Sequence, residues 1–540
     1  MSALLCAPGV AHAESRRLPG HTLPPDATAG AQPTEPTSSK LALAVRLPMR
    51  NAEGLDDLLA RLYTPGDSLY RKYLSVQEFT ANFGATDADI EQVEKYFAGL
   101  GCAVTNVHEN HLLINFECEQ KIVERAMGVK ISHWQNGQGE MLRTIDKDPS
   151  IPADLPIEAI HGLTNSPKHP NFIRASPSPS PRAGTGPNGG LSPSDIKAAY
   201  SFNGISADGA GQTLALFELD GYNASDIAVY QSTFGLNPGV PLENILVDGF
   251  NGAAGQNSIE DVLDIELMMA IAPRANKILV YEGPNSEVGA IDVYQRIANE
   301  NRAKVVSTSW GLAENLSSRV VINSESQIFR QMATQGQSIF AASGDAGAFD
   351  DRRWLTVDDP ASQPFVTGVG GTSLYTNSSQ GYARETTWWD QQRRWGGGGG
   401  VSGLWAIPSW QNGVIAPASG GSRFRRNVPD VALDSDPMTG YSIYANGAWA
   451  VYGGTSCAAP LWAAFMALVN QQRVSAGRPV IGFVSPTIYR IGKSAVYAKV
   501  FHDVADLSSN GYYRAIQRYD LATGWGSLIA DALLANLVLQ

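Results

Sequence analysis

The sequence predicts an α/β protein with a large domain built on a largely parallel sheet flanked by helices, and a smaller α/β domain ahead of it. Three observations predict this. From residue 192 to the C-terminus, short apolar strands alternate with helical periodicity, the pattern of a parallel sheet covered on both faces. Residues 40–165 carry a second, compact α/β pattern. Between the two, residues 166–191 contain Ser176-Pro177-Ser178-Pro179-Ser180-Pro181, then mostly glycine and small polar residues. Such a stretch is an extended, exposed linker open to proteolysis.

In chain order, residues 1–13 end in Ala11-His12-Ala13, a small-x-small pattern like a signal-peptidase site. The apolar part before it is short and no basic residue precedes it, so a genuine signal would be truncated here. Residues 14–39 are rich in Pro, Thr, Ser and Ala and read as disordered. The first domain begins with an alternating strand at 41–47 and a short helix at 54–63. An amphipathic helix follows at 87–100, with Ile90, Val93, Tyr96 and Phe97 on one side. Residues 102–107 and 112–118 form a hairpin whose flanking Cys102 and Cys118 can face each other, and 120–127 is helical. In the second domain strands fall at 213–219, 277–281, 304–309 and 338–342, and helices at 259–271 and 325–335. The strands end in Gly, Ser or Asp, which places chemistry at the carboxyl edge of the sheet.

Composition narrows the function. The chain has 540 residues, 43% hydrophobic and 17% charged, with a formal charge of -12. This acidic balance argues against a nucleic-acid partner. No apolar run approaches a membrane-spanning length.

One stretch stands out: Tyr452-Gly453-Gly454-Thr455-Ser456-Cys457-Ala458-Ala459-Pro460, followed at once by an apolar helical run. The glycines permit a tight turn and close approach. Ser456 then sits at a helix N-terminus, where free N–H groups favour developing negative charge. A serine nucleophile usually borrows a histidine. Seven of the eight histidines precede the large domain, leaving only His502 inside it. Glu260 and Asp264 offer another base. They lie four apart on one helix face, at the entrance of a helix that becomes apolar nearly all round. Asp261 reads instead as an exposed first-turn acid favouring the dipole. A third carboxyl, Asp345, follows a strand in Ser343-Gly344-Asp345-Ala346-Gly347.

Together these residues resemble the sedolisin family of serine-carboxyl peptidases, over nearly the whole chain past the N-terminal tail. The motifs are Glu260-x-x-x-Asp264-Ile265-Glu266, Ser307-Thr308-Ser309-Trp310-Gly311, Ser343-Gly344-Asp345-Ala346-Gly347 and Gly454-Thr455-Ser456-x-Ala458-x-Pro460. Val369-Gly370-Gly371-Thr372, residues 398–402 and Pro429-Asp430-Val431-Ala432 support them. The resemblance implies a subtilisin-like catalytic domain at 192–540 and a ferredoxin-like activation prodomain at 40–165. It also implies a linker at 166–191 cut during activation, after a truncated signal and tail at 1–39. It implies that Ser456 is the nucleophile, Glu260 the base, Asp264 its orienting partner and Asp345 an oxyanion-hole group. Glu218 and Trp310 match positions that extend the network behind Glu260.

The resemblance further implies one structural Ca2+ ion, with carboxylates from Asp503 and Asp520 and backbone carbonyls from Val504, Ile516 and Arg518. Relatives usually have glycine where this chain has Ile516 and Arg518. The function so implied is a secreted, acid-acting, monomeric endopeptidase with protein or peptide substrates, held by its own propeptide until it processes itself. The alternatives are a tripeptidyl-peptidase of the same family and a catalytically silent secreted binding protein. An esterase is disfavoured because Gly454-Thr455-Ser456-Cys457-Ala458 lacks the second glycine of a nucleophile elbow.

Overall fold

A computed structural model describes residues 14–36, 38–137, 139–174, 184–236 and 238–540. Residues 1–13, where a signal remnant was expected, and the Ser-Pro run of the linker lie outside the described residues. The chain forms two compact units, one of residues 1–50, 83–165 and 318–320, the other of residues 51–82, 166–317 and 321–540.

The first unit holds a four-stranded antiparallel sheet of β1 (Lys40–Arg46), β2 (Ala103–Val107), β3 (Leu113–Glu119) and β4 (Ala159–His161), in the order β2-β3-β1-β4. Helix α1 (Asp87–Gly99) starts at a capping box between Thr86 and Asp89 and buries Ile90, Val93 and Phe97. Tyr96 is only partly buried. Helix α2 is Gln120–Met127. Cys102 and Cys118 are disulfide-bonded across the hairpin. The tail read as disordered is in fact ordered over its described part. Ser15–Arg17 pairs antiparallel with Ser150–Pro152, and Gln32–Thr34 with the strand Ile131–Gln135. The physical reason is two anchors that a compositional reading overlooks. Leu18 is buried in the core, and buried His21 accepts a hydrogen bond from the Ile160 N–H at 3.0 Å.

The second unit is organised on an eight-stranded sheet. Its strands are β5 (Thr213–Glu218), β6 (Leu242–Leu246), β7 (Lys277–Glu282), β8 (Val305–Thr308), β9 (Ser338–Ala342), β10 (Thr367–Thr376), β11 (Tyr382–Thr387) and β12 (Val431–Asp434). The order is β6-β7-β5-β8-β9-β10-β11, with β12 also pairing β10, and only the β10–β11 pair is antiparallel. The motifs around Gly370 and Pro429 are thus neighbouring strands. A Cβ on Gly370 would lie 2.6 Å from Pro429 Cγ, so glycine here serves a close approach.

Two helices pass through the core of this unit: α3 (Ser258–Ile271) and α5 (Thr455–Ser475), which pack against each other. Their sequences are apolar nearly all round because they are buried nearly all round. Helix α4 (Glu287–Glu300) lies between β7 and β8 in sequence. A short hairpin, β13 (Tyr441–Ala445) and β14 (Ala448–Gly453), leads directly into α5. Residues 51–82, expected in the prodomain, group with this second unit. The helix Ala52–Leu62 and the turn after it are tied there by Tyr63, whose hydroxyl donates to the Ala333 carbonyl at 2.7 Å. Tyr73 donates to the Ile481 carbonyl at 2.7 Å.

Candidate active site

The candidate site forms where three adjacent parallel strands end. β5 ends at Glu218, β8 runs into Ser309-Trp310, and β9 runs into Ser343-Gly344-Asp345. The carboxyl edge of such a sheet is where α/β folds place ligands. The two core helices bring in the rest, Glu260 and Asp264 from α3 and Ser456 from the first turn of α5.

Gly454 sets the turn between β14 and α5. Its φ is +114°, and a Cβ there would lie 2.3 Å from the Asn171 carbonyl oxygen and 2.7 Å from Asp345 Oδ2. A side chain is therefore excluded both by backbone conformation and by space. Gly398 acts similarly behind Asp345. A Cβ on it would overlap the Ser343 carbonyl, and Ser343 Oγ donates to the Gly398 carbonyl at 2.8 Å.

The four expected residues come together, fully or nearly buried. The Ser456 hydroxyl is the hydrogen-bonding group that favours ionised Glu260. The contact falls short of a formed bond, since Glu260 Oε1 and Oε2 and Ser456 Oγ have no hydrogen-bond partner. Catalytic hydrogen bonds are often loose before substrate is engaged. Ser309 Oγ donates to both oxygens of Asp264 at 2.9 Å. Asp345 Oδ1 accepts from the Thr455 N–H at 2.8 Å and from Thr455 Oγ1 at 2.9 Å, while buried Oδ2 is left without a partner.

Burial dominates the electrostatics. It pushes the Glu260 carboxyl well above the usual range, and the Asp264 charge adds to this. Asp264 is raised by burial against the opposing Ser309 bond. Burial raises Asp345 to about 8 despite the two Thr455 hydrogen bonds. At neutral pH and below, Asp345 therefore carries a proton.

Behind Glu260 the network continues. Trp310 Nε1 donates to Glu218 Oε2 at 2.8 Å. Glu218 is raised by burial and by the charges of neighbouring Asp261 and Asp264. Asp261 is thus not an exposed first-turn acid. It is fully buried, because the first turn of α3 enters the core instead of meeting solvent. The contacts of Ser309 with Asp264 and of Thr455 with Asp345 join segments far apart in sequence, so motif spacing alone does not reveal them. His502 stacks on Tyr382 at 3.5 Å between ring centroids, and burial lowers it to about 4.

The protein's own chain runs through the site. His169–Pro170 pairs antiparallel with Trp310 and Gly311, and Ile173–Arg174 with Tyr452 and Gly453. Between them, the Ser456 N–H donates to the Asn171 carbonyl at 3.0 Å.

At the expected cation loop, Asp503 and Asp520 close on the same short segment. Asp503 accepts from the Tyr497 hydroxyl at 2.9 Å and the Arg518 N–H at 3.0 Å. Asp520 accepts from the N–H groups of Ile516 at 3.0 Å and of Ala522 and Thr523 at 2.8 Å. Arg518 holds a φ of +68°, the left-handed conformation suited to glycine. The two carboxylates suit a hard cation, whereas at Ile516 and Arg518 it is the N–H that meets a carboxylate. The donor set fits in part. Among the described residues no cluster of three or more His, Cys, Asp or Glu could hold a metal.

Comparison with known proteins agrees with this architecture. Residues 29–166 match the pro-kumamolisin activation domain, and residues 252–481 match the subtilase family. Kumamolisin of Bacillus sp. is 33% identical over 491 residues, covering 87% of this chain and 86% of that protein. Sedolisin of Pseudomonas sp. is 28% identical, covering 92% and 86%. Human tripeptidyl-peptidase 1 is 26% identical, covering 96% and 94%. The solved structure of Pseudomonas sedolisin, a serine-carboxyl proteinase complexed with pseudo-iodotyrostatin, matches with a TM-score of 0.58 at 30% identity. It covers 64% of this chain and 97% of that one. With a two-unit fold, a serine at the head of a buried helix and relatives along most of its length, this chain is a serine peptidase and belongs to the sedolisin family.

Proposed function

We propose that the chain is a secreted serine-carboxyl endopeptidase that works in acid and is made as a self-processing zymogen. Ser456 is the nucleophile, Glu260 the general base and Asp264 the group that orients and polarises Glu260. Asp345 and the Ser456 N–H receive the oxyanion. The observation that carries this reading is that the Ser456 hydroxyl and the Glu260 carboxyl are buried together, neither engaged by another hydrogen-bonding group, with the hydroxyl favouring ionised Glu260.

Ser456 Oγ attacks the peptide carbonyl as its proton passes to Glu260. Asp345 Oδ2–H and the Ser456 N–H stabilise the tetrahedral oxyanion. Glu260 then gives its proton to the leaving amine. Water, activated by the same carboxylate, clears the acyl group. The acid range follows from two requirements. A carboxylate base ordinarily ionises at lower pH than a histidine, and although burial raises Glu260, the share of that rise due to the Asp264 charge vanishes in acid, where Asp264 is itself protonated. The oxyanion donor Asp345 must keep its proton, and it loses it as pH rises through about 8. The processed enzyme is expected to show an acidic rate optimum, with activity lost on the alkaline side. A maximum at neutral or alkaline pH overturns the assignment.

An endopeptidase is favoured over a tripeptidyl-peptidase because, counting back from Asn171, whose carbonyl meets the Ser456 N–H, the seated segment continues past the third residue, His169, to Lys168, held on both backbone atoms by Asn285. Secretion is supported by the Cys102–Cys118 disulfide, which persists in oxidising compartments. No described helix is long and apolar enough to cross a membrane. Calcium at the 503–520 loop is part of the same proposal. Asp503 and Asp520 would hold the ion with carbonyls of Val504, Ile516 and Arg518, in a structural role.

A further inference from the structure

We propose that this enzyme's first substrate is its own segment 168–174, cut between Asn171 and Phe172, and that Glu325, Asp358 and Asp359 form a specificity pocket for the basic side chain of the fourth residue before that cut. The inference rests on the reading of Ser456 as nucleophile and adds the bond and the selecting groups.

The register is set by backbone contacts on both sides of Ser456. Upstream, His169 pairs with Gly311 and Pro170 with Trp310. Downstream, Ile173 pairs with Gly453 and Arg174 with Tyr452. Both pairings are antiparallel and extended, the way a peptide adds a strand to an enzyme edge. At the crossing, the Asn171 N–H donates to the Ser309 carbonyl at 3.2 Å, and the Ser456 N–H donates to the Asn171 carbonyl at 3.0 Å. The same carbonyl oxygen and unpartnered Asp345 Oδ2 both approach bare Gly454. The Asn171 carbonyl therefore sits where an oxyanion would be received. The ring of Phe172, on the leaving side, meets Tyr452 edge to face at 6.1 Å.

Lys168 fixes this register. Its N–H donates to Asn285 Oδ1 at 3.0 Å and its carbonyl accepts from Asn285 Nδ2 at 2.8 Å. Its Nζ lies 3.0 Å from Glu325 Oε1, with the lysine side chain 5% and the glutamate 0% exposed. Burial alone would lower the lysine's pKa. Glu325, Asp359 and Asp358 outweigh that and hold it charged. Glu325 has no other hydrogen-bond partner for either oxygen. A neutral side chain here would strand a buried carboxylate, and an acidic one would add repulsion. A shift of one residue in either direction would remove the lysine from its partner and Asn171 from the Ser456 N–H together.

In the reaction, the Ser456 oxygen bonds to the Asn171 carbonyl carbon and the C–N bond to Phe172 breaks. The serine proton passes through Glu260 to the departing Phe172 amine. One water then hydrolyses the ester, leaving Asn171 with a free carboxylate and restoring Ser456.

The test starts from full-length protein, purified at neutral pH and shifted to acid, with fragments read by intact mass and N-terminal sequencing. The expected new N-terminus is Phe172, absent in Ser456→Ala. A cut at another bond that also vanishes in Ser456→Ala overturns the register and leaves the serine peptidase reading standing. An unchanged Phe172 cut in Ser456→Ala overturns that reading. The pocket is tested on processed wild-type enzyme with quenched peptides spanning residues 168–174 that carry Lys, Arg, Met or Glu at the first position. Lys and Arg should exceed Met by about 30-fold in kcat/KM, with Glu lower still. Equal rates for Lys, Met and Glu overturn the pocket. In Glu325→Gln the Lys-to-Met ratio should collapse. If that variant does not fold, Lys168→Met in the otherwise intact chain should slow self-cleavage while Lys168→Arg restores it.

Discussion

The active centre and the C-terminal loop both gather acidic side chains in the same unit, Asp503 of the loop half-buried and the others buried, yet their polar atoms are treated in opposite ways. At the loop, Asp503 and Asp520 are saturated by N–H and O–H donors. At the active centre, both oxygens of Glu260, the Ser456 hydroxyl and Asp345 Oδ2 are buried with no hydrogen-bond partner. Leaving such groups unpaired is costly, and folds rarely do so without a use for them. The contrast is that the loop carboxylates are already engaged in fixing the loop's shape, while those of the active centre keep oxygens available to a reacting group.

The comparison breaks first at the active centre. Ser456→Ala or Glu260→Gln should abolish peptide hydrolysis and self-cleavage, by about 10³-fold or more, with the thermal transition retained. Full activity in Glu260→Gln would mean its bare oxygens have no chemical role. Next in size is Asp345. Asp345→Ala should lower kcat by about 10²-fold. Asp345→Asn keeps a neutral donor that does not titrate, and so should flatten the alkaline limb of the rate profile near pH 8. A limb that persists unchanged assigns it to another group.

A smaller effect is expected on stability. Burial raises Asp345 and Glu282 to about 8 and Asp350 to about 7, so the folded state binds more protons than the unfolded chain. Their contribution is fully present below their unfolded pKa of about 4 and is lost as pH rises through 7–8. Scanning calorimetry of a Ser456→Ala protein should give a Tm that falls from pH 5 to pH 8, and a rising Tm contradicts the burial reading. The smallest effects belong to the loop. Chelation should lower Tm by a few degrees, as expected for loss of a ligand bound only by the folded state, and leave kcat untouched at lower temperature. An unchanged Tm removes the cation. His502→Ala should likewise spare catalysis, since its ring stacks on Tyr382.

Much of this was legible in the sequence because short-range patterns carried it. Strand β9 and helix α2 fall where periodicity puts them, and β5, β7 and β8 within a residue or so. Strand β10 was hidden because its run Gly368-Val369-Gly370-Gly371 reads as a loop until β12 is laid beside it. The helix Arg319–Thr334 starts earlier than expected, since its first turns mix polar and apolar residues. At the site, Glu260, Asp264, Asp345 and Ser456 were identifiable because each sits in a motif with its own local geometry. The burial of Asp261 and the pocket around Lys168 were not, because both depend on segments far apart in sequence meeting in space.

The turn-and-helix segment 51–82 has a consequence for what happens once the chain is severed. Tyr63 and Tyr73 bond it to Ala333 and Ile481, and the Leu74 N–H donates to Thr334 at 2.9 Å. None of these contacts is a peptide bond near residue 171, so a single cut leaves them standing. The nicked product is then a two-chain complex, and dilution as well as hydrolysis governs when it becomes free to act on other proteins.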